Sequence, residues 1–115
     1  MRTVFDQHRF RIGLLAAFLG ATLIAPIVNA TDATIVSQRE RQFWPRKLVL
    51  QRGSVVRIKN DDKVTHHIFV KSSKMEFDSG EQPMGKTVEL SFDKQGKFTV
   101  RCAIHPIMRL DVTVQ

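Results

Sequence analysis

Three residues with metal-binding side chains lie close together near the C-terminus of the 115-residue chain. Cys102, His105 and Met108 are separated from one another by two residues each, and they offer a thiolate, an imidazole and a thioether. Thiolate and thioether ligands select Cu(I), and imidazole suits copper as well as zinc and iron. Cys102 is the one cysteine of the sequence, so the chain offers it no partner for a disulfide. The segment therefore predicts a metal site.

Two more imidazoles stand upstream, at His66 and His67. Two histidines and a cysteine in a trigonal arrangement, with a weak axial methionine, form the blue-copper electron-transfer site. Alternate residues of a strand face the same side, and His66 shares the parity of the apolar residues Ile68 and Val70. This parity favours His66 over His67 as the second histidine ligand. The preceding acidic pair 61–62 is interpreted as turn chemistry and not as a catalytic pair of carboxylates.

The elements that position these residues are predicted to be β-strands. Apolar and polar residues alternate in short segments, and turn signals recur about every 8–12 residues. The predicted strands are Thr34–Ser37, Leu48–Leu50, Ser54–Asn60, Thr65–Val70, Thr87–Phe92, Lys97–Cys102 and Arg109–Val114. Residues 71–86 are rich in turn-forming residues and are predicted to be mostly loop. These patterns predict an all-β fold, a sandwich of two sheets. Cys102 has the inward parity of its strand, so it is expected to point into one end of the sandwich.

The sequence resembles the small blue copper proteins, the cupredoxins, and within them the amicyanin and plastocyanin-like group. The resemblance covers 34–114 and rests on the turn 60–62 before His66 and on the short spacing from Cys102 to Met108. It implies a Greek-key β-sandwich with one type 1 copper ion bound by His66, Cys102, His105 and Met108. The chain has His67 where the family has an asparagine that helps to hold the cysteine-bearing loop. His67 therefore stands as an alternative ligand or as a replacement for that asparagine.

The N-terminal segment has the three-part pattern of a secretory signal. Arginines at 2, 9 and 11 precede 17 uncharged residues, 12–28, and Ala30 ends a small-residue cleavage site. We predict a signal peptide over residues 1–30 and a cupredoxin domain over 31–115, exported to the periplasm. A retained membrane anchor is the alternative, although 17 residues are at the lower limit for a span. Residues 31–115 hold 15 basic and 10 acidic residues. Their basic residues form no dense run, so nucleic-acid binding is not expected. The nearest to a cluster are Arg39, Arg41, Arg46 and Lys47.

The predicted function is one-electron transfer between redox proteins, with copper storage or delivery as the alternative. No enzymatic activity is expected, because four protein donors leave no open position for a substrate. Partner proteins are expected to dock weakly on an apolar patch around His105, formed by Ile104, Pro106 and Ile107. A basic rim that attracts acidic partners is predicted from Lys71, Lys74, Lys86, Arg101 and Arg109. We expect a monomer.

Overall fold

The structure is a computed structural model that describes Gly13, residues 15–24 and residues 33–115. The described part of the chain forms nine β-strands. They are β1 (Thr34–Arg39), β2 (Gln42–Trp44), β3 (Lys47–Leu50), β4 (Ser54–Asn60), β5 (Ile68–Lys71), β6 (Glu76–Asp78), β7 (Thr87–Phe92), β8 (Gly96–Cys102) and β9 (Arg109–Val114). Within these described residues no helix is long and apolar enough to cross a membrane. The predicted signal peptide and its cleavage site lie largely outside the described residues.

The strands form two mixed sheets. One sheet has the order β2-β1-β4-β7, and the other has the order β3-β9-β8-β5-β6. Two strand pairs, β1 with β4 and β3 with β9, are parallel, and the remaining pairs are antiparallel. Such parallel pairs need long crossover connections, which here run between the two sheets. The predicted all-β sandwich is confirmed.

Alternation of apolar and polar residues explains why these segments become strands. In β7, buried Val88, Leu90 and Phe92 alternate with exposed polar residues, and in β8 and β9 buried residues alternate with exposed or half-buried ones. The inward residues of the two sheets meet in one core. This burial is the main contribution to the stability of a domain that has no disulfide among its described residues.

The predicted metal ligands lie together at one end of the sandwich. Cys102 ends β8 and is paired with Ile68, the first residue of β5. Arg109 begins β9, and Asn60 ends β4. The connections 61–67 and 103–108 therefore meet at this end, whereas the β7–β8 turn lies at the opposite end.

The strand predictions were accurate where the alternation is long. β4, β7 and β9 have the predicted bounds, and β8 begins one residue earlier than predicted. Two short strands were missed: β2, which was not predicted, and β6, which lies in the segment predicted as loop. The predicted strand 65–70 is shorter and displaced, because regular pairing begins only at Ile68. His66 instead forms an isolated bridge with Gln82.

Candidate metal centre

His66 is held in place by its backbone. Its N–H donates to the carbonyl of Gln82 at 3.0 Å, and its own carbonyl accepts from the N–H of Gln82 at 2.7 Å. Asn60 fixes the approach to this bridge, because its buried amide donates to the carbonyls of Val64 and Gln82 at 2.8 Å each. The ring of His66 is fully buried, as its parity with Ile68 and Val70 predicted.

Cys102 is a free, buried thiol at the end of β8. Its Sγ atom lies 3.4 Å from the backbone nitrogen of His67, which donates to it. The carbonyl of His67 accepts a hydrogen bond from the N–H of Ala103 at 2.8 Å, so the sulfur and the residue that follows it are both fixed by His67. The thiolate is the form of cysteine that binds metals.

His105 and Met108 belong to the short connection between β8 and β9. The N–H of Met108 donates to the carbonyl of His105 at 2.9 Å, which closes the connection into a turn. His105 is half-buried, and Met108 is 1% exposed. The turn therefore places His105 at the surface of the site and Met108 in the core.

The three nitrogen and sulfur donors form a compact triangle. Nδ1 of His66 lies 3.2 Å from Nδ1 of His105, and Sγ of Cys102 lies 3.7 Å from each of these nitrogens. The point equidistant from the three atoms is about 2.1 Å from each, within the range of metal–imidazole bonds and slightly short of metal–thiolate bonds. Two ring nitrogens and a sulfur at these distances can all reach one cation placed between them. The site therefore fits copper in size and in donor type.

Asp62 determines which nitrogen of His66 faces this point. Oδ2 of Asp62 lies 2.8 Å from Nε2 of His66. Because an ionised carboxylate can only accept, Nε2 of the neutral ring carries the hydrogen and Nδ1 keeps a free lone pair. Metal-binding histidines commonly donate their second N–H to a carboxylate in this way.

The same carboxylate also holds the β1–β2 turn. Oδ1 of Asp62 accepts from the backbone N–H of Glu40 at 2.6 Å, and Oδ2 accepts from that of Arg41 at 3.0 Å. Burial raises the pKa of Asp62, but the hydrogen bonds from His66, Arg41 and Glu40 outweigh burial and leave its pKa below the usual range. Asp62 is therefore an anion at neutral pH.

His105 is biased toward its neutral form. Burial lowers its pKa, and the electrostatic effects of the neighbouring His66 and Arg41 lower it further, against the opposing effect of Asp62. A neutral imidazole has a lone pair for a metal, whereas a protonated one has none. The lowered pKa thus suits the ring for metal binding.

The structure brings together three of the four residues predicted as ligands, His66, Cys102 and His105, and it places Met108 in the core at the end of the same turn. His67 is directed elsewhere: its Nε2 bonds Oδ1 of Asp78 at 2.5 Å. The prediction that the acidic pair 61–62 only shapes a turn was incomplete, because Asp62 contacts His66. Its position four residues before a predicted ligand was the available signal.

The predicted basic rim is corrected in part. Nζ of Lys74 donates to the carbonyl of Gln95 in the β7–β8 turn, at the end of the sandwich opposite to Cys102. Lys74 therefore cannot border the site. Arg109 does border it, but its guanidinium is paired with Asp111 at 2.7 Å.

The sequence of the chain is similar to that of a curated protein. The methylamine utilization protein MauL of Methylophilus methylotrophus is 28% identical over 110 residues, which cover 90% of this chain and 63% of that protein. The chain thus spans somewhat less than two thirds of the length of this curated relative. No family model matches the sequence.

Several solved structures have a fold similar to that of the chain. A proline-to-glycine mutant of amicyanin in its reduced Cu(I) form matches with a TM-score of 0.68 and 20% identity, over 75% of this chain and 85% of that one. A reduced tryptophan-to-tyrosine mutant of amicyanin matches with a TM-score of 0.67 and 20% identity, over 72% and 82%. A copper-containing nitrite reductase from Thermus scotoductus matches with a TM-score of 0.67 and 22% identity, over 73% of this chain but 22% of the reductase. These likenesses show the fold of the described domain.

Proposed function

We propose that this chain, which has the cupredoxin fold and the donor set of a type 1 copper centre, carries single electrons between partner proteins. The observation that carries the proposal is the triangle of the buried His66 and Cys102 with the half-buried His105 at one end of the sandwich. Copper bound there would supply a Cu(II)/Cu(I) couple that takes up and releases one electron. The likeness to amicyanin and to a methylamine utilization protein supports the proposal.

The proposed ligands are Nδ1 of His66, Sγ of Cys102 and Nδ1 of His105, with Met108 as the weak axial donor. Each of the three close donors is fixed by neighbouring backbone: His66 by its bridge to Gln82, Cys102 by the N–H of His67, and His105 by the turn to Met108. A site whose donors are held in this way changes little between oxidation states. Fast electron transfer requires such a small change.

Electrons would enter and leave through the exposed edge of His105. Its Nδ1 faces the other donors, and the ring is half-buried, so the opposite edge reaches toward the surface. The flanking Ile104 and Ile107 are 48% and 85% exposed. Exposed apolar side chains around a redox site suit weak and transient docking of partner proteins, and we propose this patch, with Pro106, as the docking site.

Electron transfer fits the burial of the donors better than copper delivery does. His66 is fully buried, and Cys102 is 2% exposed. A delivery protein must release its metal to a competing ligand, which needs donors that the partner can reach. An enzymatic role is not proposed either, since the chain matches 22% of the nitrite reductase and four donors leave no position for a substrate.

The domain organisation remains a proposal as well. We propose that residues 1–30 are removed on export and that residues 31–115 act in the periplasm. The mass of the protein purified from a periplasmic extract tests this, because cleavage after Ala30 leaves Thr31 as the first residue. A protein that stays in the membrane fraction at full mass would contradict the proposal.

Copper content and the visible spectrum of the purified domain test the function directly. We expect about one copper per chain, an intense visible absorption in the oxidised protein and reversible bleaching by a reductant. Cys102→Ser should abolish this absorption, because the thiolate is its source. A colourless protein that binds only Cu(I) and gives it up to a mild chelator would support delivery instead.

A further inference from the structure

The β1–β2 hairpin carries a concentrated positive charge. The charged segment, residues 39–47, runs from the end of β1 through β2 to the first residue of β3, and we refer to it below as the hairpin. It includes four cationic side chains and one acidic side chain, and all five of these side chains are exposed. The cationic residues are Arg39, Arg41, Arg46 and Lys47. Within residues 33–115, none of these four forms an ion pair shorter than 4.0 Å, in contrast to Arg57, Lys59 and Arg109. Within the described residues, the positive charge of these four side chains is therefore not neutralised by a carboxylate in direct contact.

The turn of the hairpin is joined to the metal centre through Asp62, which also contacts His66. Glu40 and Arg41 form its two-residue turn with φ values of 52° and 55°, a conformation that ordinarily selects glycine or asparagine. Asp62 stabilises this turn by accepting both backbone N–H groups. At the base of the hairpin, the guanidinium groups of Arg39 and Arg46 lie 5.7 and 5.5 Å from the centre of the Trp44 ring. These contacts place the guanidinium groups of Arg39 and Arg46 beside the same aromatic ring.

A groove connects the hairpin to the metal centre. It has a volume of about 340 Å³, and its lining includes Arg46, Lys47, Ile107, Met108 and Arg109. Three of its lining residues, Arg46, Lys47 and Arg109, are cationic. The exposed Ile107 belongs to the proposed docking patch, and Met108 is a proposed ligand. A partner that occupies this groove would lie beside the proposed exit of the electron.

We propose that the hairpin and this groove dock an acidic segment of the redox partner protein. The inference rests on the proposed function, since it names the partner surface for the same site. Opposite charges increase the rate of encounter and fix its orientation. The exposed carboxylate of Glu40 at the tip and Asp111 in the groove interrupt the positive surface. This pattern suits a shaped protein surface better than the uniform negative charge of a lipid membrane.

An NMR titration tests the docking surface without depending on electron transfer. The probe is an acidic peptide of ten glutamates, added to the purified domain in the metal state in which it is isolated. We expect backbone amide shifts concentrated in 39–47 and around Arg109. At about 0.01 M ionic strength, where the screening length is about 30 Å, Arg46→Glu/Lys47→Glu should weaken binding at least about tenfold. At about 0.5 M salt the difference should disappear.

Lys94→Glu/Lys97→Glu is the matched control, because it reverses the same charge at the opposite end of the sandwich. It should weaken binding far less than the hairpin variant. Equal weakening by both pairs, or shifts spread over the whole surface, would show that only net charge matters and would overturn the proposal. Salt-sensitive binding to phosphatidylglycerol vesicles together with no peptide shifts would also overturn it, in favour of a membrane surface. The visible spectrum tests the copper function separately. A colourless protein that still binds the peptide at the hairpin would therefore reject the proposed electron transfer but not the docking surface.

Discussion

Oδ2 of Asp62 lies 2.8 Å from Nε2 of His66 and accepts its hydrogen. Through the same carboxylate, the ligand-bearing connection is joined to the backbone of Glu40 and Arg41 in the β1–β2 turn. Three hydrogen bonds thus converge on one partly buried anion. This contact orients a proposed copper ligand and fixes the shape of the hairpin that borders the site.

Asp62→Asn should weaken both the metal site and the fold. An amide accepts through only one oxygen and carries no charge, so it cannot satisfy the three donors as well. We expect copper affinity to fall about 10–100-fold, as for other partners of metal-binding histidines. The free energy of unfolding should fall by about 1–3 kcal/mol. Competition with a chelator and urea unfolding measure the two effects.

Asp61→Asn is the matched control for affinity, since Asp61 bonds Ser37 and Lys59 and contacts none of the proposed ligands. It should leave copper affinity within a factor of about two to three. Equal losses in the two variants would mean that Asp62 acts only through the general charge of the turn.

His67→Ala should leave the copper site intact. The ring of His67 bonds Asp78, and only its backbone touches Cys102. We expect an unchanged visible spectrum and a loss of stability below about 1 kcal/mol, the size of an exposed ion pair. His66→Ala, the matched variant one residue earlier, should lose the spectrum. A loss of colour in the His67 variant alone would reverse the assignment of the ligand.

The parts of the fold that the sequence predicted well are those with a long alternating pattern. In β4, β7 and β9 buried residues alternate with exposed or half-buried ones over six or seven positions. The sequence pattern therefore predicts both the strand and the face that packs into the core. β2 and β6 have three residues each, too few to show a period. They form because neighbouring strands β1 and β5 offer hydrogen-bonding edges, which is information from the tertiary structure.

The features of the metal site also divide into those that the sequence predicted and those that depend on the tertiary structure. Donor chemistry and spacing pointed to Cys102 and His105, and strand parity correctly selected His66 as the buried histidine. The contact from Asp62 depends on how the connection 61–65 folds back, and its spacing of four residues from His66 was the only signal of it in the sequence. The error over Lys74 has a similar cause, because a loop that follows a ligand strand in sequence can lie at the far end of the sandwich.

Met108→Leu should keep the copper and raise the reduction potential. Leucine has nearly the same volume, so we expect a stability change below about 1.5 kcal/mol at this buried position. Loss of the thioether removes a donor and disfavours Cu(II) more than Cu(I). Each tenfold change in relative affinity for the two states corresponds to about 59 mV, which voltammetry resolves easily. An unchanged potential would show that Met108 serves only the core.

Asp61 should make the stability of the fold depend on pH in the acid range. The hydrogen bond from Ser37 and the contact with Lys59 outweigh burial and lower the pKa of Asp61 below its usual range. A lowered pKa in the folded state stabilises the fold above the pKa of the unfolded chain, and this contribution is lost as the pH falls through the folded pKa. Asp61→Asn should therefore lower the unfolding free energy by about 0.5–1 kcal/mol at pH 7, allowing for solvent screening. The difference from the unaltered protein should shrink below about pH 4. Urea unfolding of both proteins without metal, across this pH range, measures this difference.

Asp93→Asn is the control, because Asp93 is an exposed carboxylate in the β7–β8 turn. It should give no such pH-dependent difference. A constant difference at all pH values would assign the effect of Asp61 to its shape and not to its charge.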